Sequence, residues 1–196
     1  METLRTVAKE LARFDPLYVS VTYGAGGSTQ DRTRQSVRMI RQETGLQIMP
    51  HLTCIGATRD SIDELLREYI ADGFENILAL RGDYPQGVDP DKACHDFNRA
   101  EDLVRFIGSY DHFSIGVALC PEGHPESPSL RDDVKMAARK IRAGADFGIT
   151  QMFFDNEYLY RYADMLKGEG VDVPVIPGII PVTDIDKIRK FAELNK

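Results

Sequence analysis

Short apolar runs alternate with amphipathic helical patterns along the whole chain. Runs rich in β-branched and aliphatic residues are typical of buried strands, and their alternation with helices is typical of βα units with a parallel sheet. The pattern predicts six strands, at Leu17–Tyr23, Ile48–Cys54, Asn76–Leu80, Phe113–Leu119, Phe147–Phe153 and Val173–Ile179.

Apolar residues spaced three and four positions apart predict the helices between these strands. The first helix carries a stripe of Leu4, Val7, Ala8 and Leu11. A second stripe, closed by Gly73, comprises Ile62, Leu65, Leu66, Tyr69 and Ile70. A third follows a Ser129-x-x-Asp132 start, ends at Gly144 and comprises Leu130, Val134, Ala137, Ala138 and Ile141. A last helix, ending near Lys196, has Thr183 as its expected N-cap and the apolar positions Ile185, Ile188 and Phe191.

The order of the elements suggests two architectures within one expected domain, residues 1–196. Because a helix precedes the first strand, an eight-stranded α/β barrel would contribute its strands two to seven here, with the first strand and the last βα unit absent. A chain of 196 residues is also shorter than the roughly 250 of a complete barrel. An open doubly wound sheet accommodates six strands without closure. Periodicity alone does not choose between them.

Composition narrows the range of partners. The chain is 42% hydrophobic and 28% charged, which is ordinary for a globular protein, and its net charge is −7. This charge repels phosphate backbones and anionic lipid, so we expect neither nucleic acid nor a membrane as partner. The N-terminus is a charged helical pattern rather than a signal peptide. Cys54, Cys94 and Cys120 form no disulfide framework, so we expect a cytoplasmic protein.

Five consecutive predicted strands end in polar or titratable side chains. In parallel α/β folds, chemistry gathers where strands end and helices begin. Loops that serve only as solvated connections do not require a histidine or a glutamine inside an apolar strand. The strand ends therefore predict an enzyme active site, with the residues Thr22, Tyr23, His51, Arg81, Asp83, Cys120, His124 and Gln151.

Individual segments permit two interpretations each. Gly24–Thr29 could cradle a phosphate at a helix N-terminus, or could be a turn with Ser28 or Thr29 as the N-cap. Arg81 and Asp83 flank Gly82, which lets a ligand approach the backbone, or they could form a local ion pair. In the helix after His124, a basic pair could neutralise a diphosphate or could belong to a charged helical face; it consists of Arg139 and Lys140.

A zinc site is a further possibility, because His51, Cys54, Cys120 and His124 are metal-ligand types. Their spacings match no compact zinc motif. His51 and Cys54 lie three positions apart on a predicted strand and would point to opposite faces. We therefore expect no metal, and we interpret Cys120 as a small residue lining the site.

Taken together, the motifs resemble those of the methylenetetrahydrofolate reductase family. The segments are S-V-T-Y-G-A-G-G-S-T with D-R-T, P-H-L-T-C, L-A-L-R-G-D-Y-P, P-E-G-H-P-E, I-T-Q-M-F-F-D and I-P-G-I-I-P-V. The likeness runs in register from the first helix to Lys196. The resemblance implies a TIM (β/α)8-barrel type of α/β fold, with about six of its eight strands in this chain. It also implies FAD as cofactor, NADH or NADPH as hydride donor and methylenetetrahydrofolate as substrate.

The resemblance assigns roles to matching residues. It implies FAD contacts from Tyr23, Ala25, His51, Arg81, Gly82, Asp83, Ala100, Cys120, His124, Asp133, Arg139 and Lys140. Thr22 and Gln151 would contact the nicotinamide. Asp83 and Gln151 would contact the folate and are the expected catalytic residues, since a carboxylate beside flavin and pterin favours positive charge on the folate.

Three departures from the family pattern also carry expectations. The family commonly has tyrosine where Cys120 stands, and Met136 occupies a position that can be polar. A segment like F-E-F-F-P-P, which carries the family's general acid, does not occur among the 196 residues, and Glu122 does not replace it by motif. The alternative function is therefore a catalytically impaired FAD- or folate-binding subunit, and a zinc-dependent transferase is a weaker one. An incomplete barrel would expose sheet edges, so we expect a homo-oligomer or a partner that covers them.

Overall fold

The computed structural model describes residues 2–23, 27–84, 96–186 and 188–189, and for residues 27–31 it describes the backbone alone. The chain forms two compact units, Met1–Ile115 and Gly116–Lys196. Ala25, Cys94, Phe191 and Lys196, all named in the sequence-based predictions, lie outside the described residues.

In the described residues, the first unit contains three strands that pair side by side, one helix before the first strand and one helix after each strand. Its elements are α1 (Glu2–Ala12), β1 (Val19–Val21), α2 (Gly27–Thr44), β2 (Ile48–Thr53), α3 (Arg59–Ala71), β3 (Asn76–Leu80) and α4 (Ala100–Gly108). β1 pairs with β2 and β2 with β3, both in parallel. The side chains of Leu52 and Ile77 are fully buried, as expected for strands covered by helices on their faces.

The second unit repeats the same alternation. β4 (Ser114–Leu119) begins at the end of the first unit, and α5 (Leu130–Arg142), β5 (Phe147–Thr150), α6 (Asn156–Gly168) and β6 (Val175–Ile176) follow. β4 pairs with β5 and β5 with β6, again in parallel. Six parallel strands alternating with helices confirm the predicted α/β class and are consistent with a partial TIM (β/α)8 barrel.

The strands lie where the sequence predicts them, but several are shorter. The prediction Val173–Ile179 is wrong at both ends, because Pro174 and Pro177 have no N–H to donate and only Val175–Ile176 remains as strand. β5 ends at Thr150 rather than Phe153. The Gln151 side-chain oxygen accepts the backbone N–H of Met152 there, which withdraws that N–H from the ladder. The first predicted strand, Leu17–Tyr23, is also reduced, to Val19–Val21.

The helix predictions are confirmed where an apolar stripe is buried. Ser129 caps α5, since its side chain accepts the N–H of Asp132. At the last helix the prediction of Thr183 as N-cap is wrong, because the side chain of Asp184 accepts the N–H of Asp186. A carboxylate one residue later satisfies the orphan helical N–H instead.

The predicted apolar stripe of α1 is only partly buried. Ala8 is buried, but Val7 and Leu11 remain 49% and 44% exposed. Glu43 of α2 pairs with Arg5 at 3.0 Å and with Lys9 at 2.8 Å, so the edge of α1 that carries these two cations lies against α2. Val7 and Leu11 lie away from that edge.

A close approach of β4 and β5 gives a prediction on stability. A Cβ added at Gly148 would lie 2.3 Å from Leu119 Cδ1 and 2.7 Å from its Cγ. Leu119 is buried and must move to make room. We expect Gly148→Ala to lower the free energy of unfolding by about 1–3 kcal/mol, measured by urea denaturation.

The matched control is Gly168→Ala. Gly168 ends α6, and a Cβ there meets nothing within 4 Å. Its replacement should leave the free energy of unfolding unchanged or raise it by up to about 1 kcal/mol. Equal stability of the two variants would contradict the packing argument.

Candidate functional site

His51 occupies the inner part of the first unit's sheet. It lies in β2 opposite Leu78 of β3, between the buried residues Pro50 and Leu52, and is itself half-buried. Burial lowers its pKa below the ordinary value of 6.5. The imidazole is therefore neutral at pH 7 and can offer one donor and one acceptor to a ligand.

The end of β3 turns sharply at Gly82. This residue has φ +86°, and a Cβ there would lie 2.9 Å from the Thr53 Cβ atom. Only glycine fits this turn without strain. The Arg81 guanidinium beside it lies 4.8 Å from the centre of the Tyr84 ring, and its Nε donates to the Gly82 carbonyl at 3.1 Å. Asp83 follows and is exposed, so its carboxylate is accessible to a ligand.

Other predicted residues of the first unit lie at element ends. Thr22 is exposed just after β1, and its carbonyl accepts the hydroxyl of the buried Thr33 at 3.2 Å. Tyr23 is half-buried beside it. Ala100 is the first residue of α4, where helical N–H groups are free of intrahelical partners. These positions suit contacts to a polar ligand, as the resemblance implies.

Asp133 is the best-connected carboxylate of the second unit. It lies in α5 and is 7% exposed. Its Oδ2 accepts the Tyr162 hydroxyl at 2.9 Å, and its Oδ1 accepts the Ser127 hydroxyl and the backbone N–H of His124, each at 3.3 Å. A buried carboxylate requires such donors. Asp133 therefore joins α5 to α6 and to the loop that follows β4.

Lys140 and Arg139 differ although they are neighbours in α5. The Lys140 ammonium donates to the carbonyl of Ala118 in β4, and its burial lowers its pKa, while Cys120 and Asp133 act in the opposite direction. Arg139 is exposed, and its guanidinium contacts the Met136 sulfur at 3.8 Å. The interpretation as a charged helical face therefore applies to Arg139, whereas Lys140 faces the sheet.

The loop after β4 presents His124 to solvent. Gly123 has φ +94°, and its N–H donates to the Cys120 carbonyl at 2.8 Å, which closes a tight turn. The His124 side chain is exposed, and its Nδ1 accepts the N–H of Glu126 at 3.2 Å. Glu122 is exposed in the same turn. Backbone bonds thus determine the path of the loop, while the His124 ring stays accessible.

Gln151 is placed by the end of β5. Its backbone N–H donates to the Leu119 carbonyl at 2.7 Å, and its side chain is exposed. Thr150 before it is buried, and its hydroxyl accepts the N–H of Gly178 at 2.8 Å. The backbone of Gln151 is thus held next to β4, and its side-chain amide is open to solvent.

Within each unit the structure brings part of the predicted set together. In the first unit, His51 lies in β2, and Arg81 directly follows the last residue of the neighbouring strand β3. In the second unit, Cys120, Asp133 and Lys140 interact electrostatically. Sequence reasoning missed Tyr162, because a tyrosine at a helical core position looks like ordinary packing.

Among the residues that the structure describes, no group of three or more His, Cys, Asp or Glu could hold a metal ion. No helix in this described part of the chain is long and apolar enough to cross a membrane.

Comparison with known proteins identifies relatives over nearly the whole chain. The family model described as methylenetetrahydrofolate reductase matches residues 1–196. The chain is 42% identical over 194 residues to the 5,10-methylenetetrahydrofolate reductase of Salmonella typhimurium strain LT2, covering 99% of this chain and 64% of that protein. It is 41% identical over 194 residues to the enzyme of Escherichia coli K12, with the same shares of 99% and 64%. The chain thus spans slightly less than two thirds of the length of these bacterial relatives.

One solved structure supports the fold alone. The crystal structure of phosphonopyruvate hydrolase with oxalate and Mg²⁺ aligns with a TM-score of 0.64 at 11% identity, covering 96% of this chain and 70% of that one. At this identity the likeness concerns architecture and carries no statement about chemistry.

The environment of Cys120 predicts an unreactive thiol. Burial, reinforced by the Asp133 charge, raises its pKa from 9.0 to about 11. Because the thiolate is the nucleophile, alkylation by iodoacetamide should be slow at pH 8 and should rise about tenfold per pH unit up to about pH 11. Mass spectrometry of a Cys54→Ser/Cys94→Ser variant would measure this rate. A rate that levels off near pH 9 would contradict the prediction.

Proposed function

Because the chain belongs to the methylenetetrahydrofolate reductase family, we propose that it is a flavin-dependent oxidoreductase. It reduces 5,10-methylenetetrahydrofolate to 5-methyltetrahydrofolate with NADH or NADPH, in one-carbon metabolism that supplies methionine biosynthesis. The observation that carries this proposal is the family match over residues 1–196, which spans all the polar strand ends described above.

The side chains present fit FAD as a ligand. A flavin dinucleotide needs cations for its diphosphate, acceptors for its ribose hydroxyls and donors for its ring. Arg81 and Lys140 are cations beside strands, and Asp133 keeps acceptor capacity, since a carboxylate has about four lone-pair sites and three donors reach it. His51 is a neutral imidazole. In the first unit Tyr23, Ala25, Gly82, Asp83 and Ala100 would add contacts, and in the second unit Cys120, His124 and Arg139 would do so.

When bound, FAD would supply hydride-transfer chemistry between the nicotinamide and the folate. Thr22 and Gln151 orient the nicotinamide by hydrogen bonds, and Gln151 then holds the folate ring. Asp83 supplies a fixed negative charge, which favours a cationic form of the folate's one-carbon bridge. Both the Asp83 carboxylate and the Gln151 amide are exposed, which allows these contacts.

The test uses the full purified chain with added FAD. We expect a yellow protein that binds FAD stoichiometrically by equilibrium dialysis and whose flavin is bleached by NADH or NADPH in anaerobic stopped-flow experiments. A colourless protein that takes up no FAD would refute the proposal. A cytoplasmic location and a homo-oligomer, or a partner chain, remain predictions.

A second candidate is a subunit that binds FAD and folate without full turnover. It would take up FAD and accept a hydride from the nicotinamide, but the folate would not reoxidise its flavin. The two half-reactions separate the candidates, since reduction of the flavin does not require a general acid. Reoxidation by methylenetetrahydrofolate at the pace of flavin reduction would exclude the second candidate.

The contrast between Lys140 and a surface lysine of the same helix gives a prediction on FAD affinity. Lys140→Met removes a cation that faces β4, and we expect the Kd for FAD to rise by about tenfold or more. Lys135→Met is the control, because Lys135 is 50% exposed and lies 3.9 Å from Asp132 on the surface. For Lys135→Met, isothermal titration calorimetry should show a Kd for FAD within about twofold of that of the unsubstituted protein. Equal effects of both substitutions would contradict the proposed role.

Asp83→Asn tests the electrostatic role of this carboxylate. Loss of its charge should speed flavin reduction by the nicotinamide and slow reoxidation by methylenetetrahydrofolate by about tenfold, since negative charge opposes the first step and favours the second. Stopped-flow absorbance measures both steps. Asp111→Asn, at an exposed position with φ +49° that asparagine tolerates, should change neither rate. Parallel changes in both steps of Asp83→Asn would argue against an electrostatic role.

A further inference from the structure

Tyr162 has the environment of a polar contact rather than of a packing residue. It lies in α6 and is fully buried, so solvent does not reach its hydroxyl. That hydroxyl donates to Asp133 Oδ2 at 2.9 Å. Burial and the Asp133 charge raise the Tyr162 pKa, so the phenol stays protonated and remains a donor.

The other oxygen of Asp133 leads to the loop after β4. Its Oδ1 accepts the backbone N–H of His124 and the hydroxyl of Ser127, both at 3.3 Å. These two distances are longer than the 2.9 Å bond from Tyr162 and belong to weaker hydrogen bonds. The tyrosine therefore makes the shortest of the three bonds that orient the carboxylate.

We propose that Tyr162 is a positioning residue that holds the Asp133 carboxylate and, through it, the backbone of His124. This proposal rests on the proposed function, in which Asp133 and His124 contact the flavin dinucleotide. Tyr162 itself touches neither cofactor nor substrate. Its contribution is to fix one rotamer of Asp133 before binding, which lowers the ordering cost of binding.

Tyr162→Phe is the direct test, because it deletes one oxygen and keeps the buried ring. Isothermal titration with FAD should show a Kd about tenfold higher than that of the unsubstituted chain. The matched control is Tyr69→Phe. Tyr69 is also fully buried, and its hydroxyl makes no hydrogen bond among the described residues. Its replacement should leave the Kd within about twofold, and an equal loss in both variants would overturn the proposal.

A double-mutant cycle separates positioning from a purely structural role. If Tyr162 acts through Asp133, Tyr162→Phe should have no further effect on the Kd in an Asp133→Ala background. Additive effects of the two substitutions would overturn the proposal. Thermal unfolding of each variant checks that it is folded at the temperature of the titration.

Amide hydrogen exchange tests the same contact without flavin. In the full chain without added FAD, Tyr162→Phe should speed exchange of the His124 amide by about tenfold. The Gln151 amide donates to Leu119 in the same unit and makes no bond to Asp133, so its exchange should stay unchanged. An unchanged rate at His124, or an equal acceleration at Gln151, would overturn the proposal. This experiment remains decisive even where the unsubstituted chain binds no FAD, a result that would refute the proposed function alone.

If Tyr162→Phe does not fold, an NMR measurement on the unsubstituted protein tests the proposal instead. The proton of a buried hydroxyl that donates a hydrogen bond exchanges slowly with water. NMR of the chain with isotope-labelled tyrosine should therefore show the hydroxyl proton of Tyr162 near neutral pH. Rapid exchange of this proton would overturn the proposal.

Discussion

A buried charge must be met by hydrogen-bond donors, and this constraint organises the second unit around Asp133. The carboxylate is 7% exposed, and three donors from different segments reach it: the Tyr162 hydroxyl, the Ser127 hydroxyl and the His124 N–H. Without them, its desolvation would cost several kcal/mol. The same bonds place α6 and the loop after β4 relative to α5. The packing of this unit and the placement of its candidate site residues therefore depend on one hydrogen-bond network.

The first unit satisfies its charges differently, through ion pairs between helices. Arg38 of α2 reaches Asp72 at 2.5 Å and Glu68 at 3.2 Å, and Arg34 reaches Glu68 at 3.1 Å. The Arg41 guanidinium donates to the Gly73 carbonyl, where α3 has just ended. These pairs are partly exposed, so each contributes modestly on its own. Their position joins the helices that follow β1 and β2.

The periodic pattern predicted the helices and strands because the spacing of apolar residues within each segment indicates which positions are buried. The stripe of α3 and the runs of β2 and β3 repeat at the helical and strand periods, and the structure buries Ile62, Leu65 and Leu52 as expected. The predicted stripe of α1 is only partly buried, and the edge of α1 that faces α2 carries Arg5 and Lys9, which pair with Glu43. The predicted strand ends are wrong where a missing hydrogen-bond donor ends the strand, at the prolines on either side of β6. The six strands were therefore predictable, and their exact ends were not.

In the candidate site as well, the sequence indicates the residue types but not the partners that these residues contact. The family resemblance names Asp133 and Lys140, but only the fold shows that Lys140 turns to β4 while Arg139 stays outside. Tyr162 has no such signal, since the bond that matters joins it to a residue 29 positions away. A single sequence indicates the residues that contact a ligand more readily than the residues that position those ligand-contacting side chains. The supporting contact that we propose comes from Tyr162 of α6, outside the quoted motifs, so the geometry around Asp133 depends on packing that those motifs do not encode.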